Sequence, residues 1–263
     1  MFKRGIIFSS LILSFAICIQ SAVAETKAEL CKKAFNAETY DKAFSLCLKP
    51  ANAGDAVSQG YIGFMYNSGK GVAKDSAEAA RWFRKAAEQG NAYAQFWLGF
   101  SYENGAGVAK NSAEAVKWYR KAAVQGNADA QYFLGYSYFS GSGVAKNSAE
   151  VVKWCRKAAV QGHAEAQFLL GYSYFSGAGV AKNSAEAVKW CRKAAEQGHA
   201  GAQLRLGLIY YYGEGVAKNS AEAARWFRKA AEQGGKTRDT SRIHCCESII
   251  LIVLSAPCQE LHA

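Results

Sequence analysis

Seven cysteines lie beyond the first 24 residues: Cys31, Cys47, Cys155, Cys191, Cys245, Cys246 and Cys258. Thiols can pair, hold a metal or attack a substrate, and spacing decides which. Cys31 and Cys47 are separated by 16 residues, with a turn expected near Ala37 to Tyr40. That places them at matching heights on a helical hairpin and predicts a disulfide between them. Cys155 and Cys191 take the position that Phe83, Tyr119 and Phe227 hold elsewhere, on the inward side of a helix. Equivalent points of neighbouring hairpins should lie about 8–10 Å apart, whereas bridged Cα atoms need about 4.4–6.8 Å. Buried free thiols are therefore expected at 155 and 191. Seven is odd, so at least one thiol is free or intermolecular.

His163 and His199 stand where Asn91 and Asn127 stand in related segments. A metal would need further ligands at bonding distance, and none is arranged nearby. Capping or surface histidines are the expected reading, with no metal and no cofactor. The chain contains no GxSxG, no HExxH and no phosphate loop. Its GxGV tetrapeptides read as turns between helices, not as strand-to-helix junctions. No catalytic residue is assigned, and the expectation is a protein that is not an enzyme.

The elements that position these side chains repeat. Tryptophan recurs at Trp82, Trp118, Trp154, Trp190 and Trp226, always 36 residues on. The same step relates Gly63, Gly99, Gly135, Gly171 and Gly207, and the GxGV segments starting at Gly69, Gly105, Gly141, Gly177 and Gly213. Such self-similarity calls for a repeat architecture, divided as 55–90, 91–126, 127–162, 163–198 and 199–234. Within the second unit, Ala94, Leu98 and Tyr102 recur at i, i+4, i+8, predicting helix A from Ala92 to about Asn104. Gly105-Ala106-Gly107 ends it. Asn111 then precedes Glu114 by three residues, an N-cap followed by a glutamate placed to reach back to the cap amide. Helix B runs from there to Gly126. Ala115, Trp118, Tyr119 and Ala122 share its inner side, and Lys117, Arg120 and Lys121 turn toward water. Neither helix hides its apolar side alone, so hairpins must stack. The predicted fold is all-α: a right-handed α/α superhelical solenoid of five 36-residue helix-turn-helix repeats with an N-terminal helical cap.

The ends read differently. Residues 1–24 have the layout of an export signal: Lys3 and Arg4, an apolar stretch from Gly5 to Gln20, and Ala22-Val23-Ala24 before the cut. A periplasmic or secreted protein is expected, with no stable membrane span once this segment is removed, because the run is short. Residues 25–54 read as the helical cap. After Gly234 the pattern breaks, and 235–263 is a divergent tail, either an irregular cap or a poorly packed extension. Removing Lys3 and Arg4 lowers the formal charge from +11 to +9. That balance favours an acidic partner by long-range attraction and says nothing about fold. With hydrophobic residues at 50% and two prolines, disorder throughout is excluded.

The string AQFWLGFSYENGAGVAKNSAEAVKWYRKAA, Ala94 to Ala123, resembles the Sel1-like repeat, a relative of the tetratricopeptide repeat with a slightly longer unit. The likeness recurs five times over about 180 residues. It implies a right-handed superhelix and a role as an adaptor between proteins; the expected partner is a protein or peptide, not a nucleic acid. Cysteine-rich secreted members tie helix A to helix B in each repeat, but helix A here has no cysteine. Some secreted members are linked to β-lactam binding or hydrolysis. This chain has no SxxK and no SDN, and Lys236-Thr237 is followed by Arg238 where KTG needs glycine, so that alternative lacks a nucleophile. A secreted factor acting on a host cell is the other alternative. In related solenoids helix A lines the concave surface. Tyr132, Tyr136, Phe139, Phe168, Tyr172 and Phe175 are thus candidate partner-binding residues, with core packing as the competing expectation for most of them.

Overall fold

The computed structural model describes residues 26–234, which are helical throughout with no strand among them. The export-like segment and the divergent tail, with Cys245, Cys246 and Cys258, lie outside the described residues. The chain divides into two compact units, Met1–Gln89 and Gly90–Ala263.

In the first unit, α1 (Lys27–Asn36) and α2 (Tyr40–Asn52) form a hairpin, followed by α3 (Ala56–Ser68) and α4 (Ser76–Glu88). Thr26 starts α1 with a complete capping box: its hydroxyl accepts from the Glu29 N–H, and Glu29 accepts from the Thr26 N–H at 2.7 Å. That backbone bond holds the Glu29 carboxyl below its usual range. Phe35 stacks on Tyr61 at 4.0 Å between ring centres, so the cap hairpin and α3 share one apolar cluster.

The second unit repeats one hairpin four times: α5 (Ala92–Asn104) with α6 (Ser112–Val124), α7 (Ala128–Ser140) with α8 (Ser148–Val160), α9 (Ala164–Ser176) with α10 (Ser184–Glu196), and α11 (Ala200–Tyr212) with α12 (Ser220–Gly234). Within this unit, from α5 to α12, consecutive helices pack on one another. One leucine per hairpin, Leu98, Leu134, Leu170 and Leu206, is wholly buried, each worth about 1.5–3 kcal/mol relative to exposure. Alanines at the crossings, such as Ala94, Ala115 and Ala122, are equally buried and let the helices approach closely.

Glycine sets two of these approaches. A Cβ on Gly99 would stand 2.8 Å from the Tyr119 ring and 3.1 Å from the Ala115 carbonyl, so helix A is admitted against helix B only without a side chain there. In the next turn Gly143, at φ 69°, lies against the Ser112 carbonyl, where a Cβ would collide. Gly179 and Gly215 are seated in the same way on Ser148 and Ser184, the first residues of the preceding helices B.

Polar side chains stitch the hairpins together in register. Gln131 donates its amide N–H to the Ala123 carbonyl at 3.0 Å and accepts from Gln161 at 2.8 Å. Gln167 repeats this with Ala159 and Gln197. Arg120 and Arg156 donate to the Tyr138 and Tyr174 hydroxyls of the next hairpin at 2.7 and 2.8 Å, and Arg192 does so to Tyr210. Because these glutamines are about 4% exposed, an unmade bond would cost about 1–3 kcal/mol.

One local expectation changes. Asn111, Asn147, Asn183 and Asn219 do cap helix B through their side chains, but the glutamates three residues on do not reach back. Each cap N–H is already spent on the carbonyl of the tyrosine that closes helix A, as in Asn111 to Tyr102 at 2.8 Å. The freed carboxylates turn along the helix instead. Glu150 binds Lys153 and the Trp154 indole N–H, both at 2.8 Å, and Glu186 does the same with Lys189 and Trp190.

Candidate functional site

Cys31 and Cys47 form a disulfide between α1 and α2, with Cα atoms 4.8 Å apart and both residues wholly buried. Cys155 and Cys191 are free and buried, each with its sulfur facing the helix A glycine of its own hairpin, Gly135 and Gly171. Burial pushes each of these thiols up to about 12. A nucleophilic cysteine needs thiolate at neutral pH and access to substrate; these two have neither.

His163 and His199 are the N-caps of α9 and α11. Their Nδ1 atoms accept from the Ala166 and Ala202 N–H groups at 3.3 and 3.0 Å. Each imidazole also lies on a ring of the preceding helix A, His163 on Tyr132 at 4.6 Å and His199 on Phe168 at 4.7 Å. Burial lowers the His199 pKa, opposed in part by Glu165. His163 stands 3.2 Å from a Glu165 oxygen and 3.4 Å from an Asp129 oxygen. Among the described residues no three metal-ligating side chains converge.

The six aromatic candidates separate into two groups. Tyr132 and Phe168 are 5% and 3% exposed and belong to the core beneath the histidines. Tyr136, Phe139, Tyr172 and Phe175 are half-buried, the first three packed against the edge of the core. Tyr136 and Phe139 lie 6.2 Å apart, and Phe139 meets Tyr172 of the next hairpin edge to face at 6.4 Å. Arg205 covers Phe175, its guanidinium 3.7 Å from the ring centre, and is tied to Glu214 at 3.1 Å.

The row extends further toward the N-terminus than the sequence reading took it. Trp97, Phe100 and Phe133 are also half-buried, with Trp97 to Phe100 at 5.5 Å and Phe100 to Phe133 at 5.9 Å. The signal was present: Phe100, Tyr136 and Tyr172 are themselves 36 residues apart. Glu103 is the one carboxylate at the position that Phe139 and Phe175 fill, and it accepts from the Ser142 hydroxyl at 3.0 Å. Behind this surface the Tyr119 hydroxyl is buried, its pKa raised by desolvation and then by Glu103. The arrangement offers flat, partly wet rings and a fixed carboxylate. That is material for holding a chain segment, with no activated nucleophile beside it.

Five consecutive segments, 56–91, 92–127, 128–163, 164–199 and 200–235, match the Sel1 repeat. A crystal structure of a Sel1 repeat protein from Oxalobacter formigenes is 39% identical with a TM-score of 0.75, over 80% of this chain and 83% of that one. The protein c5321, described as a protective antigen present in uropathogenic Escherichia coli strains and displaying an SLR fold, is also 39% identical, with a TM-score of 0.71. That match covers 79% of this chain and 45% of c5321. No curated protein matches the chain.

Proposed function

The chain belongs to the Sel1 repeat family, and from that membership we propose that it is an exported, non-enzymatic scaffold that holds a protein or peptide segment against the ring row of helices α5, α7 and α9. Sel1 repeat proteins are generally protein-interaction scaffolds, which gives the coarse assignment. The half-buried row from Trp97 through Phe100, Phe133 and Tyr136 to Tyr172 carries the finer one. Aromatic side chains add large contact area for few frozen torsions, and that is why they dominate binding hot spots. An extended or helical peptide laid across such rings would gain from several of them at once.

Export rests on residues 1–24: a basic start, an apolar stretch and Ala22-Val23-Ala24. A buried disulfide in the first hairpin suits an oxidising compartment. No described helix is long and apolar enough to cross a membrane. The formal charge of +9 left once Lys3 and Arg4 are removed from +11 makes an acidic partner the favoured one.

The test is photo-crosslinking from a benzophenone amino acid placed at position 136 or 172 of the chain expressed in its own host, with Val216 as the control position. Crosslinked partners at 136 and 172 that disappear in a Phe100→Ala/Phe133→Ala background are expected. Identical crosslinks at all three positions would sink the reading. Fractionation of the same cells tests export, since retention of the full-length chain in the cytoplasm is incompatible with it.

A further inference from the structure

The second and third repeats differ from the other three at one exposed position. Helices α6 and α8 end in Val124 and Val160, 68% and 73% exposed, where the other helices B carry Glu88, Glu196 and Glu232. Each replacement does two things. It removes a carboxylate four residues after Arg120 or Arg156, on the same helical face, and it leaves a bare apolar side chain in water. Scattered exposed valines are ordinary on protein surfaces; two at the same register of adjacent repeats, replacing the charge used everywhere else, are not scattered.

The charges around them are unequally matched. In the first half of each helix the cations are occupied: Lys117 is bound to Glu114 at 2.5 Å and Lys153 to Glu150 at 2.8 Å. In the second half, Lys121 and Lys157 have no ion pair among the described residues. Their ammonium groups rest over the Trp118 and Trp154 rings, 3.9 and 4.8 Å from the ring centres, which fixes them in place. Arg120 and Arg156 are held by the Tyr138 and Tyr174 hydroxyls; the Glu150 and Glu186 carboxyls are lowered first by their bonds to Lys153 and Lys189 and only last by these arginines. The nearby acids at the helix A starts, Asp129 and Glu165, lie against His163. Lys85, Lys193 and Lys229 rest over their tryptophans in the same way, but each has a glutamate three residues on, whereas Lys121 and Lys157 have an exposed valine there.

We infer that this face of α6 and α8 docks an acidic peptide segment with apolar side chains at helical spacing, its carboxylates on Lys121 and Lys157 and its apolar side chains on Val124 and Val160. Charge complementarity selects an anionic partner. The valines select a peptide over a sugar or nucleic-acid polyanion, which would gain nothing from them. The inference rests on the reading of the array as a protein-binding scaffold, but it uses helices B and not the ring row of helices A, so either surface can fail without the other.

The discriminating variant is Val124→Glu/Val160→Glu, because it restores the residue the other three repeats carry and so leaves helix B intact; an unchanged circular dichroism melt confirms that. The probe is a short fluorescent peptide of glutamate and leucine with leucine at i, i+3 and i+4, titrated in fluorescence anisotropy beside a lysine–leucine peptide and heparin. The acidic peptide should bind, and binding should weaken about tenfold or more in the valine variant. It should also weaken in Lys121→Gln/Lys157→Gln and be unaffected in Phe100→Ala/Phe133→Ala. Absence of acidic-peptide binding overturns the inference, as does binding that survives Val124→Glu/Val160→Glu. Heparin binding as tight as the peptide's and equally sensitive to both helix B variants overturns it too, as a generic polyanion surface. Loss only in Phe100→Ala/Phe133→Ala places the peptide on the ring row instead and removes the helix B face.

Discussion

Among the described residues two kinds of helical hairpin occur, and they are closed differently. The hairpin of α1 and α2 has no tryptophan, no glycine at the crossing and no GxGV turn; a buried Cys31–Cys47 disulfide joins its helices. The hairpin of α5 and α6 has no cross-link. Gly99 admits the Tyr119 ring at the crossing, and Tyr119 is gripped between Phe96 and Phe133 at 6.0 and 5.4 Å. A hairpin inside a stack can borrow a ring from the next repeat to finish its core. In the hairpin of α1 and α2 Phe35 also stacks on Tyr61 of the next hairpin, and a covalent link limits the unfolded chain as well.

Removing the cross-link is the larger test of that contrast. Cys31→Ala/Cys47→Ala opens a loop of this size and should lower stability by about 3 kcal/mol, read as a shift in the urea midpoint. The loss should fall in a transition of the first unit, and tryptophan fluorescence from Trp82 can report it. A midpoint unmoved by the substitution, or by reductant in the native chain, would mean that the cap hairpin closes by packing like the rest.

Gly99→Val attacks the other closure. Its branched side chain has to displace the Tyr119 ring or part the helices, at a cost of about 2 kcal/mol from overpacking, partly offset by the better helix propensity of valine. The same substitution at the exposed Gly126, where φ is 95° and an added Cβ would point into open space, separates backbone strain from steric exclusion. A loss at 99 no larger than zero would show that the interlock is not what holds α5 on α6.

The smallest effect concerns the caps that differ among hairpins. Asn91 and Asn127 cap α5 and α7 with amide oxygens, whereas His163 and His199 cap α9 and α11 with Nδ1. The folded-state pKa of His199 is lowered by burial, so the neutral form is favoured when folded. Its contribution is complete above the unfolded value of about 6.5 and is lost as pH falls through the lower folded value. Protonation would also remove the cap acceptor and put positive charge at a helix N-terminus. His199→Asn should therefore flatten the acid side of the stability profile below pH ~6.5 by about 1 kcal/mol. An acid limb of unchanged slope would assign it to other groups.

Helix limits were legible because their causes are local. Asn111 before Ser112 and Gly105 after Asn104 mark ends that the structure places at those residues, since a cap side chain or a left-handed backbone acts within one turn. The glutamate at Glu114 shows where local reading stops. Its spacing predicts a reciprocal cap, but the amide it would bind is taken by Tyr102, nine residues back, and only the closed hairpin brings that carbonyl near. The ring row was half legible for a related reason. Helix A is apolar on nearly every side, so periodicity marks Tyr132 and Tyr136 alike, and burial of the first beneath His163 depends on the following hairpin.

The sequence by itself determined the period, the hairpin and the all-α architecture, because capping, turn glycines and apolar spacing act between residues close along the chain. Only the tertiary structure decided which rings stay at the surface, which glutamine amides bind Gln131 and Gln167, and which tyrosines receive Arg120, Arg156 and Arg192. Those outcomes depend on side chains about 18 to 36 positions apart meeting across stacked helices, and stacking, unlike periodicity, fixes which side of each helix is left to water.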